Sequence, residues 1–120
     1  MYKMTFNDFC TIMAHDISKN QFYHEIEIEF RINNSSMYQN SWLGKMVDKG
    51  TKKEIYWFGL TKDGLQAYEY DTFEQFSNAK VFCNKSIKEI WDLVSLFSID
   101  GCDIQERLSF YLDSPNNSIN

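Results

Sequence analysis

The stretch FYHEIEIEFRI, residues 22–32, decides the fold class of this chain. Apolar residues take alternate positions, namely Phe22, Ile26, Ile28, Phe30 and Ile32. The positions between hold Glu25, Glu27, Glu29 and Arg31. Successive side chains of a strand point to opposite sides of a sheet, so this alternation predicts a strand with one buried and one wet face. His24 falls on the inner parity of the same strand.

A helix is predicted before this strand, from Thr5 to Ser18. Thr5 is followed three residues later by Asp8, a loose form of the capping box. Apolar residues then recur at helical spacing, at Phe6, Phe9, Cys10, Met13 and Ile17. Such a stripe is typical of an amphipathic helix that covers a core.

Three further strands are predicted after the polar loop 33–40. They are Trp42–Val47, Glu54–Leu60 and Leu65–Tyr70, separated by turn segments at 48–53 and 62–64. The Asp63-Gly64 pair tolerates the positive φ of tight turns. Four strands in succession predict an antiparallel meander.

The helical period returns beyond Asp71. A short helix is predicted over Thr72–Ala79. Ser86 with Glu89 forms an S-x-x-E capping box, which predicts the start of a second helix. Leu96–Ile99 is a short strand, and Asp103 begins a last helix with Ile104, Leu108 and Tyr111 inward.

Together these elements predict an α+β fold: an antiparallel sheet of four to five strands, packed by an N-terminal helix and two to three C-terminal helices. We expect residues 1–112 to form one domain and the polar residues 113–120 a disordered tail. The expected core contains Phe6, Phe9, Met13, Ile26, Ile28, Phe30, Trp57, Ile90, Trp91 and Leu108.

One segment resembles other proteins. Ala79-Lys80-Val81-Phe82, followed by Lys85 to Asp92, is similar to the C-terminal part of short uncharacterised accessory proteins of low-GC bacteria and their mobile elements. The resemblance implies an accessory protein more than a metabolic enzyme. It carries no functional residue over to this chain.

Charge and composition restrict the class of partner. Seventeen acidic against twelve basic residues give a net charge of −5, which argues against a nucleic-acid binder because phosphate is bound mainly by Lys and Arg. The sequence contains no apolar run long enough for a membrane span and no signal-peptide pattern at its start. The three cysteines are odd in number and lack CxxC spacing, which predicts reduced thiols. We therefore expect a soluble, cytoplasmic protein.

Catalytic and metal-binding patterns are weak. Cys10, His15 and Asp16 lie close in sequence, but five helical residues turn about 500°, so Cys10 and His15 diverge by roughly 140°. His24 would have to meet Cys83 or Cys102 from a separate element. Neither spacing is typical of a catalytic pair or of a zinc site. We expect no catalytic residue, no metal site and no cofactor.

The acidic stripe Glu25, Glu27 and Glu29 is more informative. Alternate strand residues lie about 6.6–6.8 Å apart, so three carboxylates line one face of one strand. The stripe is either an ordinary solvated face or a binding site for a protein with a basic surface. Acids such as Glu69 and Asp71 would have to join it before it could imitate nucleic acid.

A second candidate surface is aromatic. By strand parity Tyr56, Phe58, Tyr68 and Tyr70 share one face, which is either covered by the C-terminal helices or presented to a partner. Lysines concentrate near the hairpin turns, at Lys45, Lys49, Lys52, Lys53 and Lys62. Lysines at such turns usually serve solubility, and the alternative is contact with phosphate.

These observations favour a non-catalytic, small acidic protein-binding module. Its most concrete form is a phage or mobile-element inhibitor of a bacterial defence system, similar in role to anti-CRISPR proteins. The alternative is a small-ligand or nucleotide-binding protein that uses the aromatic sheet face. The acidic stripe and the aromatic face are the two candidate partner-binding sites, and the sequence leaves the oligomeric state open.

Overall fold

The helices and strands come in the order expected from the sequence. The computed structural model describes residues 2–17 and 25–112. Its elements are α1 (Phe6–Met13), β1 (Glu25–Ile32), β2 (Ser41–Val47), β3 (Glu54–Gly59), β4 (Ala67–Tyr70), α2 (Phe73–Asn78), a 3₁₀ turn (Trp91–Leu93), β5 (Val94–Ile99) and α3 (Ile104–Leu112). The predicted α+β class is confirmed. Phe22, His24 and the expected tail at 113–120 lie outside the described residues.

The five strands form one antiparallel sheet in the order β4-β3-β2-β1-β5. The first four are the predicted meander, and β5 returns to pair with the free side of β1. Ile28 of β1 is opposite Leu43 on β2 and Ile99 on β5, and all three side chains are fully buried. Residues of the same parity therefore continue across three strands as one apolar surface.

The helices pack on this apolar surface. Phe76 of α2 stacks on Phe58 of β3, with ring centroids 4.2 Å apart, and Phe9 of α1 stacks on Trp91 at 4.5 Å. Phe9 also lies 6.5 Å from Phe76, so α1 and α2 meet over the sheet. Full burial of such side chains stabilises a fold by roughly 1.5–3 kcal/mol each, which makes this layer the main stabilising contact.

Helix α1 is shorter than the sequence predicted. Its cap is as expected, because the Thr5 hydroxyl accepts a hydrogen bond from the Asp8 N–H at 3.1 Å. The helix nevertheless ends at Met13 instead of Ser18. Ile17 is buried outside the helix, where its N–H donates to Glu54 Oε2 at 3.2 Å. A tertiary contact with β3 therefore replaces the last predicted turn.

The capping box at Ser86 is present, but the α-helix predicted after it is not. The Ser86 N–H donates to Glu89 Oε1 at 2.9 Å, and the Glu89 N–H donates back to Ser86 Oγ at 3.2 Å. Only turns and the short 3₁₀ segment follow, because β5 already begins at Val94. Trp91 is fixed there by a hydrogen bond from its indole N–H to the Met4 carbonyl at 2.6 Å.

Most of the expected core is buried, namely Phe9, Met13, Ile26, Ile28, Phe30, Ile90, Trp91 and Leu108. Phe6 is partly buried and packs against that cluster. Trp57 is the error. Its strand neighbours Tyr56 and Phe58 point to the helices, so Trp57 points to the opposite side of the sheet.

Gly44 allows the central strands to approach each other closely. A Cβ at this position would lie 1.8 Å from the carbonyl oxygen of Ile26 and 3.0 Å from Cζ2 of Trp57. Gly59 lies on the same side of the sheet, and its nearest neighbour would be 3.9 Å away. Gly44 therefore has no room for any side chain, whereas Gly59 has room for a methyl group.

We expect Gly44→Ala to destabilise the protein by about 1–3 kcal/mol or more, because the backbone of β1 would have to move. Gly59→Ala is the matched control and should leave the melting temperature nearly unchanged. Thermal unfolding followed by circular dichroism measures both. Equal melting temperatures for the two variants would contradict the close approach at Gly44.

We expect Ser86→Ala to lower the free energy of unfolding by about 0.5–2 kcal/mol, because one orphan backbone donor loses its partner. Ser86→Thr keeps the hydroxyl and serves as the control. Urea unfolding of the three proteins is the measurement. An unchanged midpoint in Ser86→Ala would mean that the reciprocal pair with Glu89 adds nothing to stability.

Candidate functional site

The sheet face opposite the helices forms the candidate site, and we call it the open face. The register of β1 to β4 assigns to it Glu25, Glu27, Glu29, Arg31, Trp42, Gly44, Met46, Ile55, Trp57, Gly59, Ala67 and Glu69, and β5 adds Ser95 and Ser98. The helices lie on the other side, where Phe73 and Phe76 contact Tyr56 and Phe58. Within the described residues, no helix packs on the open face.

Carboxylates line two sides of the open face. Glu25 and Glu27 are exposed and Glu29 is partly buried, so the stripe points outward as the alternation predicted. Glu69 on β4 is also exposed and stands opposite Trp57 in the register. Four glutamates and one arginine, Arg31, are the charged residues that the strands place here. The open face is therefore negative.

The acidic stripe carries an electrostatic cost. Burial, then the nearby Glu25 and Asp100 carboxylates, raise the pKa of Glu27. Asp100 is held beside β1, since the Glu27 N–H donates to its Oδ1 at 2.9 Å and its own N–H donates to the Glu27 carbonyl at 2.7 Å. Like charges are thus fixed close together, and a cation binding to this face would relieve the repulsion.

Asp100 is itself fixed from the helix layer. Arg107 of α3 forms a salt bridge with Asp100 Oδ2 at 2.7 Å, and the Tyr111 hydroxyl donates to the same oxygen at 2.6 Å. Burial and the Asp100 hydrogen bond raise the pKa of Tyr111, so this hydroxyl remains a donor. Three polar groups on one carboxylate tie α3 to the end of β5 and to β1.

Apolar side chains occupy the middle of the open face. Trp42, Met46, Ile55 and Trp57 are all partly buried. The six-membered ring of Trp57 lies over the two glycines, with Cζ2 and Cζ3 being 3.0 and 3.9 Å from where a Cβ of Gly44 and Gly59 would stand. The tryptophan therefore lies along the sheet and presents its remaining surface to solvent.

A shallow groove of about 540 Å³ runs beside Trp57. It is lined by Met46, Trp57, Phe58, Gly59, Ala67, Tyr68 and Glu69. Sequence reasoning missed it because Trp57 was assigned to the core. The signal was present: Ile55-Tyr56-Trp57-Phe58 is apolar at both parities, and glycines at 44 and 59 leave room for one large ring.

The second candidate surface is on the helix side. Tyr56, Phe58, Tyr68 and Tyr70 share a face, as parity predicted. Phe58 is only 1% exposed beneath Phe76, and the three tyrosines are partly buried against the core. Burial raises the pKa of Tyr56 and of Tyr70. This aromatic face is therefore covered by the helix layer and is not presented to a partner.

Lys45 is separated from the other lysines of the hairpin turns. Lys45 was expected near an exposed turn, but it points to the helix side and is 0% exposed. Its Nζ forms a salt bridge with Glu54 Oε1 at 3.2 Å and donates to the His15 carbonyl oxygen. Burial lowers the pKa of Lys45. This lysine therefore joins the end of α1 to β2 and β3 and is not available to phosphate.

The Cys10 thiol lacks the feature expected of a reactive nucleophile. Burial raises the pKa of the Cys10 thiol, whereas a reactive cysteine needs a lowered one. The His15 ring packs edge-on against Tyr111 at 5.1 Å, and burial followed by Lys45 lowers its pKa. His24 lies outside the described residues.

Neither a metal centre nor a membrane span is found in the part of the chain that the structure describes. Its His, Cys, Asp and Glu side chains form no group of three or more that could hold a metal ion. None of its helices combines the length and apolar character that crossing a bilayer requires. No protein-family model, curated protein or solved structure matches this chain.

Glu27→Gln tests the electrostatic cost of the stripe. A carboxyl whose pKa is raised on folding stabilises the fold below its unfolded pKa and loses that contribution as pH rises through the folded pKa. We therefore expect Glu27→Gln to be more stable than the wild type at pH 7, by about a few tenths of a kcal/mol at this exposed site, and equal to it near pH 3. Urea unfolding at both pH values measures the difference. A variant less stable than the wild type at pH 7 would contradict it.

Proposed function

We propose that this chain is a non-catalytic protein-binding module whose open face binds the basic surface of another protein. One observation carries the proposal: a stripe of glutamates and two partly exposed tryptophans lie together on the sheet face that no described helix covers. Charge complementarity would guide the encounter, and the tryptophans would supply contact area once the partner is bound.

The apolar side chains distinguish this face from an ordinary solvated one. A wet sheet face needs only polar side chains, yet Trp42, Met46 and Trp57 stand beside Glu25, Glu27 and Glu29. Tryptophan and methionine are enriched at protein interfaces, and charged residues at the rim of a patch favour correct orientation. An alternative ligand site on the tyrosine face has less support, because Phe58 is buried beneath α2.

The resemblance of Ala79–Asp92 gives the proposal its concrete form. An accessory protein of a phage or mobile element would act in the cytoplasm, as an inhibitor of a bacterial defence nuclease. Nucleases bind phosphate through lysines and arginines, so their nucleic-acid channels are basic. A negative sheet face of this kind would occupy such a channel and exclude the nucleic acid.

Charge reversal on the open face tests the proposal. A tagged copy expressed in the native host would first identify the partner by pull-down and mass spectrometry. We then expect Glu25→Lys/Glu29→Lys to slow association by about tenfold or more at low salt, and added salt to slow association of the wild type. Surface plasmon resonance measures both rates.

Glu74→Lys/Glu106→Lys is the matched control, because it makes the same change in net charge on exposed residues of α2 and α3. Its association rate should stay close to that of the wild type. Equal slowing of the two double variants would assign the effect to net charge and contradict a site on the open face. Circular dichroism confirms that both variants are folded.

A further inference from the structure

The groove beside Trp57 has room for one long side chain. Its volume of about 540 Å³ is at the scale of pockets that hold small molecules, but it is open along the sheet surface. Gly59 and Ala67 line it with little side-chain bulk, and the Trp57 ring lies next to Gly59.

Charge around the groove selects a cation. Glu27, Gly44, Trp57 and Glu69 form one row across four strands, so the backbones of the two glutamates lie about 14 Å apart, with Trp57 between them. Arg31 lies at the far end of β1, where its Nε donates to Asn33 Oδ1 at 3.1 Å. No other lysine or arginine is placed on the open face by the strands.

The aromatic wall favours guanidinium over ammonium. A guanidinium group is planar, weakly hydrated and able to stack on tryptophan while its edge donates to a carboxylate. An ammonium group is compact and strongly hydrated, so it loses more solvation in a shallow slot. Trp57 and Glu69 are paired in the register and present these two interactions side by side.

We propose that the groove binds an arginine side chain of the basic partner, with the guanidinium stacked on Trp57 and hydrogen-bonded to Glu69. This inference rests on the proposed function and names the anchor of that same face. The long-range charge of Glu25, Glu27 and Glu29 attracts the partner, whereas the groove recognises one residue type.

The test uses the full chain labelled with 5-fluorotryptophan and two probes of equal charge, penta-arginine and penta-lysine. The three tryptophans give separate fluorine resonances, and Trp57→Phe assigns the one in the groove. We expect penta-arginine to shift the Trp57 resonance and buried Trp91 to stay unmoved. Penta-lysine should bind about two- to fivefold more weakly, the difference expected of one cation–π contact at an exposed site.

Two variants test the groove itself. Glu69→Gln should weaken the binding of penta-arginine by about two- to fivefold and reduce its advantage over penta-lysine, because one exposed ion pair is lost. Glu74→Gln on the helix side should change neither affinity. Ala67→Leu fills the groove from an exposed position on β4 and should remove the Trp57 shift. Both variants change surface positions, and circular dichroism verifies their fold.

The outcomes separate this inference from the proposed function. Equal affinity for the two peptides, with an unmoved Trp57 resonance, overturns the arginine groove. If Glu25→Lys/Glu29→Lys lowers the affinity for both peptides in that case, the acidic open face is still supported as the binding surface. If neither the double variant nor Glu69→Gln changes any affinity, both proposals are overturned.

Discussion

One-sided burial of β1 is the constraint on which the rest of the structure depends. Ile26, Ile28 and Phe30 are fully buried, while the residues between them carry charge. Because β1 pairs with β2 on one side and β5 on the other, its register fixes which side chains of both neighbours point to the helices. The helices gather on the side of Ile26, Ile28 and Phe30, since that side offers the continuous apolar surface. The other side stays open, and the candidate site is the consequence.

Sequence reasoning succeeded where the pattern allowed one solution. Alternation in β1 admits a single orientation, so the outward position of Glu25, Glu27 and Glu29 could be predicted. In β3 both parities are apolar, and periodicity alone does not choose which of Tyr56 and Trp57 faces the helices. Lys45 was misplaced because nearness to a turn in sequence was given more weight than its register opposite Ile26. The prediction of a helix after Ser86 was wrong because a capping box specifies only where a helix can start. The length of the helix depends on where the next strand begins to pair.

The open face and the core are joined at one point, and this explains how an unfavourable charge cluster persists. Asp100 receives the Arg107 guanidinium and the Tyr111 hydroxyl from α3 and pairs with the backbone of Glu27. That network compensates a carboxylate placed near two others. A protein that keeps repelling groups on its surface loses some stability, and such losses are typical of surfaces selected for binding.

The separation of the two sheet faces has an evolutionary consequence. Substitutions at Glu25, Glu29, Ala67 or Glu69 change what the surface presents without touching a core contact, so this surface can vary while the fold stays constant. Gly44 limits this freedom, because no side chain fits between it and the backbone of β1. Among diverging homologous sequences, we expect Gly44 and the overlying Trp57 to be conserved while the rest of this surface varies.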